Sequence, residues 1–221
     1  MPAARTGRPA RLSRSGILTA ARSILERDGV AALTMRRLAR EVGSTPMALY
    51  HHVEDREQLL VLLLDDYAAG IPVPEVDGAP RERIVVAATT MHTALAARPW
   101  ITEVLTADTV MSASALWYPE QIISAAVDAG LTAEQGVVVY RSIWHFTAGD
   151  ILVRHNAAQA KGKAPASPRE QLIAAADPAQ LPRIAELASR WATLTAQDMY
   201  LDGLNAMVDG FLASCGARTG R

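Results

Sequence analysis

Several things are scarce in this 221-residue chain, and each scarcity excludes something. A single cysteine, Cys215, allows no internal disulfide; a lone thiol suits a reducing compartment, where it packs as a small apolar side chain. No run reaches the roughly 18 uncharged apolar residues that a membrane-crossing helix needs. The richest stretch, residues 59–64, ends at Asp65 and Asp66. The start of the chain, MPAARTGRPARLSRSG, is basic but leads into no apolar segment, so it does not read as a secretory signal. Period-two alternation is missing, which leaves no candidate strand. GxSxG, HExxH, CxxC, a phosphate-binding loop and a dinucleotide fingerprint are missing too. The five histidines are scattered. His51 and His52 are adjacent, but neighbours on a helix diverge by about 100°, so they cannot easily grip one ion. No catalytic residue, metal or cofactor is therefore expected, and the chain is not expected to be an enzyme.

What is present reads as helix, in an all-α fold. Half of the residues are apolar and a fifth are charged, the balance of a globular protein. The net charge of −1 is unevenly placed: residues 1–56 carry ten arginines against five acids, whereas residues 57–221 carry twelve basic and eighteen acidic residues. A basic head on an acidic body predicts that only the head meets a polyanion.

In residues 13–28, Ile17, Ala20, Ala21, Ile24 and Leu25 recur at helical spacing, with Gly29 placed for a left-handed cap. Thr34 caps a second helix, 35–42, closed by Gly43. Ser44-Thr45-Pro46 starts a brief third helix, 46–51, because a hydroxyl cap followed by proline fixes where a helix begins. Asp55 with Gln58 resembles a capping box and opens a fourth, ending near residue 69. Two short helices joined by a tight glycine turn form a helix-turn-helix, whose second helix enters the major groove of DNA. Leu49 and Val53 are expected to anchor that helix inward, and Tyr50 and His52 to face phosphate oxygens.

The expected domains are a DNA-binding head, 1–56, with a basic arm, 1–12, and a helical ligand-binding and dimerisation domain, 57–221. The latter contains a hinge-like break at 70–80 and a mobile loop at 159–170. Its helices are expected near 81–97, 100–107, 119–129, 133–157, 179–190 and 195–214.

The stretch LTMRRLAREVGSTPMALYHHVEDREQLL resembles the DNA-binding domain of tetracycline-repressor (TetR) family regulators, through "LT-x-R-x-LA-x-x-x-G" and then "LY-x-H". The resemblance covers residues 12–66. It implies homodimers, two heads on a palindromic double-stranded operator, and a C-terminal domain that takes a small-molecule effector. By position it implies that Arg36 contacts a base or phosphate, that Thr45, Pro46, Met47 and Ala48 face the groove, and that Tyr50, His52 and Arg56 clamp the backbone. Met47 and Ala48 cannot donate to bases but can touch a thymine methyl.

In the body, the aromatic and thioether residues Met91, Trp100, Met111, Trp117, Tyr118, Tyr140 and Trp144 suit a mostly apolar ligand. Candidate polar handles are His92, Arg141, His145 and Asp150; Asp150 and Arg154 are expected to form a surface pair. The antibiotic repressor of the family takes its drug as a histidine-ligated magnesium complex, but the corresponding stretch here, ARPWITEVLTADTV, has no histidine. The last two long helices are apolar on more than one stripe, so a dimer interface through Ile151, Leu204, Met207 and Phe211 is expected. The function expected is that of a cytoplasmic repressor, released from DNA by its effector. An activator, a ligand-independent regulator and a helical enzyme are the alternatives.

Overall fold

A computed structural model describes residues 12–72, 74–107, 110–160 and 168–216. Among them every regular element is helical: α1 (Arg14–Asp28), α2 (Met35–Glu41), α3 (Pro46–Tyr50), α4 (Arg56–Ala69), α5 (Pro80–Ala96), α6 (Pro99–Thr106), α7 (Trp117–Asp128), α8 (Ala133–Ala160), α9 (Pro168–Ala174), α10 (Pro182–Leu187), α11 (Trp191–Thr195) and α12 (Tyr200–Gly216), with short 3-10 turns between some of them. The chain divides into two compact units, Met1–Val76 with Thr93–Glu120, and Asp77–His92 with Gln121–Arg221.

In the first unit the periodic apolar positions close a core: Ile17, Ile24, Leu38, Leu49, Leu59 and Leu63 are all buried. Segment 93–120 is held to the helices of the head by specific contacts. Tyr67 donates its hydroxyl to the Ala94 carbonyl at 2.7 Å. Arg98 pairs with Glu26 and lies 5.1 Å from the centre of the Tyr67 ring. Gly29 ends α1 with φ 79° and ψ 175°, so the turn is positive-φ but not the left-handed cap expected.

In the second unit Ile84, Ile122, Val139, Ile143, Leu204 and Val208 are buried. Arg81 of α5 grips α12, donating Nε to Asp209 Oδ1 at 2.6 Å and Nη2 to Asn205 Oδ1 at 3.0 Å. Asp150 is more than half of a surface pair. It accepts from Arg154 Nε at 2.7 Å and from His92 Nε2 at 2.9 Å, and Arg154 continues to Asp198. Burial would raise the Asp150 carboxyl, but the hydrogen bonds from Arg154 and His92 outweigh it and hold the group below its usual range. Tyr200 lies between His92, with ring centroids 3.7 Å apart, and Phe146, at 5.2 Å. Burial pushes its phenol up to about 12, so it stays a hydroxyl, bonded to Thr147 Oγ1 at 2.7 Å.

Three further expectations change. Of the loop expected at 159–170, residues 159–160 end α8 and residues 168–170 begin α9; residues 161–167 lie outside the described residues. The helix expected over 195–214 begins at Tyr200, after the separate short α11. Ile151 and Leu204 are 3% and 0% exposed in the single chain. They belong to its own core, because an apolar helix stripe looks the same whether it faces a neighbouring helix or a second copy.

Candidate nucleic-acid interface

The helix-turn-helix is built by local hydrogen bonds. Thr34 Oγ1 accepts from the Arg37 amide at 3.2 Å and starts α2. At its end Gly43 has φ 63°, its amide reaches the Arg40 carbonyl at 3.1 Å, and the Ser44 amide reaches the Ala39 carbonyl at 2.8 Å. This is the Schellman pattern, which needs a left-handed residue at Gly43. Two residues on, Thr45 Oγ1 accepts from the Ala48 amide at 3.3 Å and Pro46 fills the first helical position of α3. Asp55 then caps α4 through the Gln58 amide at 2.7 Å, and Gln58 Oε1 accepts from the Glu54 amide.

Such fixed ends orient the side chains of α3. Leu49 and Val53 are 0% and 2% exposed. Thr45, Pro46, Met47, Tyr50, His51 and His52 face outward, with Met47 exposed at 70% and Tyr50 at 48%, while Ala48 is half-buried. An outward Met47 has no packing reason to be there.

The arginines sort themselves by partner. Arg37 pairs with Asp28, Arg27 with Asp28 and Glu41, and Arg22 with Asp66. Arg36 and Arg40 are exposed and bond to no side chain among the described residues. Four apart, they share one face of α2. Arg40 was not singled out in the sequence; its spacing from Arg36 was the available signal. Arg56 points the other way. Its Nε donates to the Leu33 carbonyl at 2.9 Å and its Nη2 to the Val30 carbonyl at 3.1 Å, so it ties the α1–α2 connection to α4. Residues 1–11 of the basic arm lie outside the described residues.

The effector candidates fall in both units. In the first, Trp100 is 6% exposed and its indole N–H finds no partner among the described residues. Trp117 and Tyr118 are half-buried and meet edge to face at 5.0 Å, whereas Met111 is 58% exposed. In the second, Met91 is buried and His92 is engaged by Asp150 and Tyr200. Tyr140 and Trp144 are half-buried. Arg141 and His145 are exposed and bond to each other at 3.2 Å. They lie outward because the buried stripe of α8, through Val139, Ile143 and Thr147, occupies the opposite face of the helix.

Known proteins match this chain along most of its length. Residues 17–63 match the family described as "Bacterial regulatory proteins, tetR family", and residues 72–215 match "Tetracyclin repressor-like, C-terminal domain". A relative from Saccharopolyspora erythraea, an HTH-type transcriptional regulator, is 26% identical over 141 residues, 63% of this chain and 60% of its own. The chain thus spans less than two thirds of that relative. The crystal structure of BioQ from Mycobacterium smegmatis is 25% identical with a TM-score of 0.68, covering 92% of this chain and 99% of BioQ; BioQ has also been solved with its double-stranded DNA operator. ActR from Streptomyces coelicolor, in complex with actinorhodin, is 24% identical with a TM-score of 0.73, covering 94% of this chain and 100% of ActR, a likeness of fold. Since the two family matches take in the capped helix pair and nearly all of the remaining helices, the chain belongs to the tetR family of bacterial regulatory proteins.

Proposed function

We propose that the chain is a cytoplasmic, homodimeric transcriptional repressor that leaves a palindromic operator when a mostly apolar small molecule binds its C-terminal domain. The observation that carries this reading is the pairing of an outward-facing α3 with Arg36 and Arg40 on α2, cations that have no partner among the described residues. A helix pair locked by two caps presents one edge to the groove, and free guanidinium groups beside it hold phosphates. Arg56, whose nitrogens hold backbone carbonyls, keeps the head together and is not one of the clamps. Tyr50 and His52 are exposed where backbone contacts fall.

Support for a dimer comes from α8 and α12. Val138 and Val153 are 57% and 65% exposed, and Gly149 between them on the same face has open space above it. Ala206, Gly210 and Ala213 form a small-residue stripe on α12. Pairing these stripes with a second copy gives a four-helix interface. The two heads must then stand one helical turn of DNA apart, about 34–36 Å or a multiple. An effector that prefers another spacing weakens DNA binding by its differential affinity for the two dimer states. Support for an aromatic or lipophilic effector comes, within the first unit, from the half-buried Trp117 and Tyr118 and from the buried indole N–H of Trp100, which has no partner among the described residues and suits an oxygen acceptor. Among the described residues no helix is long and apolar enough to cross a membrane. BioQ on its operator and ActR with actinorhodin are precedents for this fold in each role.

The test is a mobility shift on the DNA upstream of the chain's own gene, with aromatic and lipophilic compounds added one at a time. A retarded band abolished by one compound is the expected result. Retardation untouched by every compound, with no thermal shift in the free protein, would remove the effector from this account.

A further inference from the structure

The leading end of α3 offers the groove almost no hydrogen-bonding side chain. Pro46 and Met47 are exposed there, Met47 at 70%, and Ala48 is half-buried. The Thr45 hydroxyl is engaged as the cap, accepting from the Ala48 amide at 3.3 Å, which leaves a single O–H to offer there. The polar residues Tyr50, His51 and His52 come only at the far end. Four base edges compete for such a surface. Guanine, cytosine and adenine present polar groups in the major groove, and thymine alone adds an apolar one, its C5 methyl. A thioether donates nothing and accepts weakly, so packing it on a polar edge would leave that edge without its water. Against a methyl group the unbranched, polarizable side chain simply fills the gap.

We infer that Met47 is a specificity-determining residue that reads the C5 methyl of a thymine in each half of the operator. The inference rests on the DNA-binding reading above. It predicts an operator whose recognition depends on a group that carries no hydrogen bond. Deoxyuridine isolates that group, since it pairs like thymine and differs only in lacking the methyl. Burying one methyl group is worth about fourfold in affinity, and roughly fifteenfold when both half-sites are changed.

The experiment begins with the full chain selecting duplexes from a randomised pool. Each thymine of the selected sequence is then replaced, symmetrically in both halves, by deoxyuridine. The wild-type protein is expected to lose about fifteenfold at one or two of those positions. Met47→Ala is expected to bind the thymine duplex about that much more weakly and to stop distinguishing thymine from deoxyuridine there. Met47 lies outside the core, so circular dichroism of the variant should match the parent. Equal affinity of the wild type for every deoxyuridine duplex overturns the assignment and leaves DNA binding standing. So does an undiminished methyl penalty in Met47→Ala. Enrichment of no sequence at all overturns the DNA-binding reading and this assignment with it.

Discussion

Single atoms decide some of this fold, and Gly203 shows it best. A Cβ placed there would stand 2.7 Å from Phe146 Cζ and 3.3 Å from Cε2. The ring cannot easily yield, because it is stacked on Tyr200, which is in turn stacked on His92. Alanine is the better helix former by about 1 kcal/mol, yet Gly203→Ala is expected to destabilise the protein by about 1–3 kcal/mol through overpacking. Urea unfolding of the variant measures it. Adding Phe146→Leu, which shortens the clashing side chain, is expected to make the double variant lose less than the sum of the two single losses. Strict additivity would mean that α8 and α12 do not meet through this pair. The sequence marks Gly203 only as a small residue suited to a close helix crossing. That its neighbour is Phe146, 57 positions earlier, is a fact of packing that no local pattern encodes. Arg56 is a similar case. Its place in the family pattern suggests a backbone clamp, but the carbonyls that hold it, at Val30 and Leu33, come from an unpatterned connection more than twenty residues away.

At the scale of elements, α3 is too short to exist alone. Five residues fall far below the roughly 12–15 at which an isolated helix becomes even marginal in water. Its ends hold it instead. Gly43 at φ 63° lets the chain reverse, and the Thr45 hydroxyl closes the first turn. A Cβ at Gly43 would meet nothing within 4 Å, so the cost of Gly43→Ala is torsional, about 1–2 kcal/mol for left-handed backbone. Thr45→Ala should cost about 1 kcal/mol for the lost cap. Each is expected to lower the melting temperature by a few degrees and to weaken DNA binding without changing its salt slope, since no phosphate contact is deleted. Calorimetry and DNA titrations check both, and an unchanged melting temperature in Gly43→Ala would mean that the turn does not hold the helix. This part of the molecule was legible because caps, proline and glycine act within four residues of themselves. The later helices were less so. α9 begins with residues 168–170, inside a stretch whose Ala, Pro and Lys content reads as loop, and the break before Tyr200 carries neither glycine nor proline to announce it. Asp150 and Arg154 were visible as a pair at helical spacing, but His92 and Asp198 reach them from other elements.

For the whole molecule the open question is what covers the outer stripe of α8. Val138, His145, Gly149 and Val153 share that face, and the two valines are 57% and 65% exposed in the single chain. Aligned on one face with the open Gly149 between them, these side chains suit a second helix laid along α8. In the proposed dimer a second α8 and α12 lie over them, and charge placed there would be buried without a partner. Val138→Asp with Val153→Asp is therefore expected to sediment as a monomer, whereas the parent sediments as a dimer. Because neither valine belongs to the core of the chain, the variant should keep its helical circular dichroism. Its DNA binding should change in a particular way. Each phosphate contact contributes about −0.9 to the slope of log K against log salt, and a lone head makes half the contacts of a pair. The variant's slope is thus expected to be about half the parent's, while Arg36→Ala with Arg40→Ala in the intact dimer should lower the slope through lost contacts and leave sedimentation unchanged. A dimer that survives both aspartates would move the interface to another face. A slope unmoved by loss of both arginines would mean that the unpartnered cations of α2 never reach the phosphates, and the basic head would have to grip DNA elsewhere.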